Sequence, residues 1–137
     1  MDATEAKIRY FIDLNWYEEN ERSFPMLAQG RLCPSCRGGQ SSAAKTNAEL
    51  FAVFSDCCSK KEDFFAPNLP LREMIFRLFL ASGNQPLDLK EINSKLKEWL
   101  LRTGDYRQVS IQKLSRIMES DRYYGFRPFP EEEPKNT

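Results

Sequence analysis

The chain has 137 residues, 41% hydrophobic, 29% charged and 12% aromatic, with 20 Lys/Arg against 20 Asp/Glu. This is too apolar for an unfolded polypeptide and too polar for a membrane-embedded one, and the length suits one compact domain or two small subdomains sharing a core. Histidine is absent, which excludes a Ser-His or Cys-His dyad, a histidine general base and a His-ligated metal.

The charge is unevenly spread. Residues 1–68 hold 8 basic and 10 acidic side chains, residues 69–127 hold 11 and 7, and residues 128–137 hold 1 and 3. A mildly basic middle between acidic ends permits a nucleic-acid surface without demanding one. The longest apolar stretch, MIFRLFLA, is broken by Arg77 and is far too short to span a bilayer. The opening MDATEAKIRYFIDLNW sets acids before its apolar residues and lacks a small-residue cleavage site. The expected setting is cytoplasmic, where thiols stay reduced.

In chain order, KIRYFIDL (7–14) alternates, with Ile8, Tyr10, Ile12 and Leu14 on one face, the period of a half-buried strand. Asn15 followed by Glu18 predicts a helix start and a short helix through WYEENER. Ser23 with Pro25 predicts a second, running through MLAQGRL. RGGQSSAAKT (37–46) is small and polar, a loop. From Thr46 the spacing of Leu50, Phe51, Phe54, Cys57 and Cys58 is helical.

APNLP (66–70) is the expected boundary between an N-terminal module, 1–65, and a second domain, 66–127, with 128–137 an acidic flexible tail. Three helices are predicted in the second domain. The first, about 70–82, is apolar on most sides and stops at Gly83. The next carries a capping box, Asp88 with Glu91, a hydrophobic staple, Leu87 with Ile92, and a terminal Gly104. The third begins at Ser110, with Val109 and Leu114 as its staple and Ile111, Leu114, Ile117 and Met118 facing inward. RYYGFRPF (122–129) is a closing strand expected to pair with KIRYFIDL. The fold class is therefore mainly α with a few short strands.

The chemistry lies in four thiols. Cys33-x2-Cys36 is followed, twenty residues later, by Cys57-Cys58. CPSC before RGG has the form of a zinc knuckle, whose turn brings two thiolates within reach of one tetrahedral Zn²⁺. Cys33, Cys36, Cys57 and Cys58 together would close the coordination sphere, the pattern of a structural zinc. Adjacent cysteines on a helix point about 100° apart, so both can ligate only where the helix ends or distorts; otherwise Asp56 or a water completes the set. A four-cysteine iron–sulfur centre uses the same ligands. The alternatives are a buried small side chain beside a free loop and a redox CxxC, which wants a βαβ setting that this chain does not offer. GQSSAAKT (39–46) approaches a phosphate-binding loop, but Ala44 stands where the closing glycine belongs and no apolar strand precedes it, so a solvated loop is expected.

PLREMIFRLFLASGNQPLDLKEINSKLKEWL and VSIQKLSRIMESDRYYGFRP resemble a winged helix-turn-helix. That resemblance implies that the third helix enters the major groove of double-stranded DNA. Carried over, Gln112, Ser115 and Arg116 would touch bases and phosphates, with Lys113 at the flank. Arg107, Arg122 and Arg127 would reach the backbone. The turn over 103–109 is longer than the family's, and no second wing strand follows. The expected protein is a zinc-stapled helical module packed on a helix-turn-helix-like domain, a nucleic-acid-binding or transcription-associated factor with no membrane or small-molecule ligand. The alternative is a protein adaptor presenting Trp16, Tyr17, Tyr123 and Tyr124. No catalytic constellation is visible, so an enzyme is not expected.

Overall fold

The computed structural model describes residues 8–37 and 46–130. Among these, the fold is mainly helical with one small sheet. In order run β1 (Arg9–Ile12), α1 (Leu14–Glu19), α2 (Phe24–Gln29), α3 (Pro34–Arg37) and α4 (Asn47–Asp56). Two 3₁₀ turns follow, Cys58–Lys60 and Glu62–Phe65, then α5 (Leu71–Ala81), β2 (Leu87–Asp88), α6 (Leu89–Thr103), α7 (Ile111–Ser120) and β3 (Phe126–Pro128). No helix among the described residues is long and apolar enough to cross a membrane.

The helix starts are set by side chains that accept otherwise unpartnered first-turn amides. Ser23 accepts from Met26, Ser110 from Lys113, and Thr46–Glu49 and Asp88–Glu91 form complete capping boxes. Gly104 ends α6 in the left-handed conformation (φ 71°), which costs glycine no steric strain. The first helix differs from expectation. Its cap is Asp13, accepting from the Asn15 amide, so Leu14 opens the helix and does not extend the strand. An aspartate two residues earlier supplies the same acceptor as Asn15, and Glu18 makes no reciprocal bond at the cap. This helix ends at Glu19 and α2 at Gln29, each shorter than the periodicity suggests.

The sheet has the order β2-β1-β3, with both pairings antiparallel. Tyr10 lies opposite Leu87 on one side and Pro128 on the other; Ile12 lies opposite Phe126. The expected pairing of the chain's first and last strands is present, and the stretch before α6 joins them. Asn84, at φ 64°, accepts the Ile12 N–H on its Oδ1 at 2.8 Å and donates its Nδ2 to the Ile12 carbonyl at 2.9 Å. It satisfies the end of β1 as another strand would.

Buried side chains from both sides of the APNLP stretch belong to one hydrophobic cluster, which runs from Tyr10 through Phe54, Ile75 and Trp99 to Phe126. Trp99 on α6 is 1% exposed and donates to the Ala66 carbonyl at 3.0 Å. Glu73 of α5 is buried in that cluster. It accepts from Arg31 at 2.6 and 2.8 Å, from Arg77 at 2.9 Å and from the Tyr124 hydroxyl at 2.9 Å. One carboxylate thus ties the segment before Cys33, the middle of α5 and the turn after α7. Asp121, also buried, accepts backbone N–H bonds from Tyr123, Tyr124, Gly125 and Phe126 and shapes that turn.

Candidate metal centre and basic groove

The four cysteines converge. Their sulfurs all lie within 4.8 Å of one another. Cys33 directly precedes α3 and Cys36 lies within it; the Cys36 and Arg37 amides donate to the Cys33 carbonyl at 3.0 and 2.9 Å, closing the turn that gathers this pair. The second pair solves the adjacency problem by breaking the helix. Asp56 is the last residue of α4, Cys57 is its cap at φ −129° and ψ −66°, and Cys58 opens the following 3₁₀ turn. The backbone change swings both sulfurs to one side. Asp56 is exposed and stands outside the cluster.

The distances suit a metal ion. Cys36 Sγ is 3.3 Å and Cys33 Sγ 3.8 Å from Cys57 Sγ. Four sulfurs each about 2.3 Å from one tetrahedral ion lie about 3.8 Å apart. The Cys33 amide donates to Cys58 Sγ at 3.2 Å, the kind of bond that stabilises a ligating thiolate from outside the first layer of ligands. Cys33, Cys36 and Cys58 are buried and Cys57 is half-buried. The described thiols are all free, and this cluster can hold a metal ion.

The thiols are unequal without one. The Ser35 hydroxyl, 3.3 Å away, is the main reason that the Cys33 thiol falls to about 6 despite burial. Cys57 is raised, first by its hydrogen bond to Cys36 and then by that to Cys33. Burial pushes Cys58 up to about 12. A cation among the four would favour all of the thiolates together.

The residues expected to touch nucleic acid divide into groups. Lys113 and Arg116 of α7 line one open groove of about 880 Å³, with Arg72 from the first turn of α5 and Tyr123 from the turn after α7. No acid lines it. None of these three cations has a carboxylate partner among the described residues. Arg107 is elsewhere and engaged: it grips Asp105 at 2.6 Å, and that hydrogen bond is the main cause of the Asp105 carboxyl falling to about 2. Gln112, Arg122 and Arg127 are exposed and Ser115 is half-buried, outside the groove lining. Arg72 escaped sequence reasoning. Its only signal was a basic residue in the first turn of a largely apolar helix, where a cation opposes the helix dipole and so wants another reason to be there.

The aromatic surface expected for an adaptor is mostly interior. Trp16, Tyr17 and Tyr124 are buried, and Tyr17 donates to the Tyr124 carbonyl at 2.6 Å. Only Tyr123 of the four is exposed, at 46%. The near-phosphate-loop sequence 39–46 lies outside the described residues except for Thr46, which caps α4; residues 131–137 of the acidic tail also lie outside them. Comparison with protein-family models, with curated proteins and with solved structures gives no match for this chain.

Proposed function

We propose that this is a non-enzymatic nucleic-acid-binding protein whose N-terminal half is held by a structural zinc ion on Cys33, Cys36, Cys57 and Cys58. The observation that carries the binding reading is the groove between α5 and α7, which Arg72, Lys113 and Arg116 line with no acid among the described residues to neutralise them. Unpaired cations held close together repel one another, and an anionic ligand relieves that repulsion. A chain of phosphates supplies such charges at regular intervals. Zinc is favoured over a cluster because four sulfurs all within 4.8 Å of one another leave room for a single ion. Four thiolates around it leave no position for substrate, so its role is to hold α3 to the end of α4.

The test is binding of the zinc-loaded protein to random-sequence DNA, duplex first and then single strands, across a salt series. Affinity should fall steeply with salt, and Lys113→Ala and Arg116→Ala should each lower the salt slope by about 1. Absence of binding to every nucleic acid at low salt refutes the reading. A second reading, a protein adaptor, draws on a different surface: Leu101 and Tyr106 are 82% and 94% exposed beside Leu100 and Val109, at the end of α6. Loss of a protein partner on Leu101→Ser with DNA binding intact would place the adaptor function there.

A further inference from the structure

Resting on the nucleic-acid reading, we infer that the α5–α7 groove takes a single strand, with phosphates on Arg72, Lys113 and Arg116 and one unpaired base stacked on Tyr123.

Shape is the first reason. A helix that reads a duplex must protrude, because it has to enter a major groove about 12 Å wide. Lys113 and Arg116 instead line an open groove that they share with the start of α5, Pro70, Leu71 and Arg72. A flexible strand can follow such a groove and place its phosphates on cations along both sides.

Tyr123 is the second reason. Its ring lines the groove yet remains 46% exposed, while its neighbour Tyr124 is buried. It is held in place from two sides. Tyr124 packs near-perpendicular to it at 4.7 Å and 85°, and the Arg22 guanidinium lies over one face of the ring, 4.5 Å from its centroid. Its amide donates to Asp121, so the backbone beneath is fixed as well. A fixed, half-exposed ring among unpaired cations is the arrangement by which proteins bind single strands with little sequence preference: charge follows the backbone and the ring takes a base face. Both features belong to one groove, although Lys113 and Arg116 come from α7, Arg72 from α5, and Tyr123 from the turn that follows α7.

The experiment is fluorescence anisotropy of the full chain, zinc-loaded, with a short oligothymidylate, an oligouridylate of the same length and a duplex of the same length. The single strands should bind at least about tenfold more tightly than the duplex at equal salt, and the better of the two identifies DNA or RNA as the source. Tyr123→Ala should weaken single-strand binding by about tenfold while Tyr123→Phe retains it, since stacking needs the ring and not the hydroxyl. Tyr123→Phe should melt with the parent, whereas Tyr123→Ala loses the contacts with Tyr124 and Arg22 and should melt slightly lower while staying folded at the assay temperature. Tighter duplex binding, or indifference to Tyr123→Ala, overturns the single-strand inference while nucleic-acid binding stands. Unchanged binding on replacing Arg72, Lys113 and Arg116 together by Ala overturns the groove. No binding of any probe at low salt refutes the nucleic-acid reading itself.

Discussion

Glu73→Gln removes one charge and leaves the shape nearly unchanged, so its cost isolates the electrostatics of the core. Glu73 is 7% exposed and receives two guanidinium groups and one phenol. Burial pushes its carboxyl up, but the hydrogen bonds from Arg31, Arg77 and Tyr124 outweigh that and hold it at about 2, against an ordinary 4.5. That difference corresponds to about 3 kcal/mol of stability at neutral pH. The amide of glutamine would also turn an N–H donor toward guanidinium donors, and breaking a buried ion pair by removing one partner costs about 3–5 kcal/mol. For a chain of this size the melting temperature should fall by about 10 °C. Because the folded carboxyl is depressed, its contribution is fully present above about 4.5 and disappears as pH falls toward about 2. Thermal melts of both proteins, in the same metal state from neutral to acidic pH, should show a gap that is constant near neutrality and closes below about pH 4.5. A neutral-pH gap of under about 2 °C, or one that does not narrow in acid, would refute the reasoning.

Purified protein should carry close to one zinc per chain by elemental analysis. Cys33→Ser should lose the metal and melt well below the parent, whereas a metal-free parent with an unchanged melt would remove the zinc from the account. Metal uptake should release protons, since Cys57 and Cys58 are raised and must ionise to ligate. Affinity should therefore weaken as pH falls, and the heat of titration should differ between buffers of different ionisation enthalpy. Gly125→Ala should destabilise by roughly 2–4 kcal/mol in denaturant melts. Its φ is 81°, and the added Cβ would lie 2.8 Å from Tyr17 and 3.1 Å from Trp16, side chains that are themselves buried.

The sequence by itself determined much of the local structure, though not the Asp13 cap or the short ends of the first two helices. Caps such as Ser23, Asp88 and Ser110 act on amides three residues away, and apolar spacing acts within one helix, so both are readable from neighbouring letters. The cysteines were legible as a ligand set for the same reason, because spacing within each pair is local. Whether Cys57 and Cys58 share one site was decided by the helix ending between Asp56 and Cys58, which depends on how α4 packs. The Arg31–Glu73–Arg77–Tyr124 network spans most of the chain. Only the Glu73–Arg77 spacing of four residues hinted at it, and nothing local separates a solvated pair from one buried with two further partners. Trp16, Tyr17 and Tyr124 show the same limit, since an aromatic ring is compatible with core and surface alike until the neighbouring elements close over it. The basic groove is likewise tertiary: Arg72 stands some forty residues before Lys113 and Arg116, and only the packing of α5 against the end of α7 brings their charges to one place.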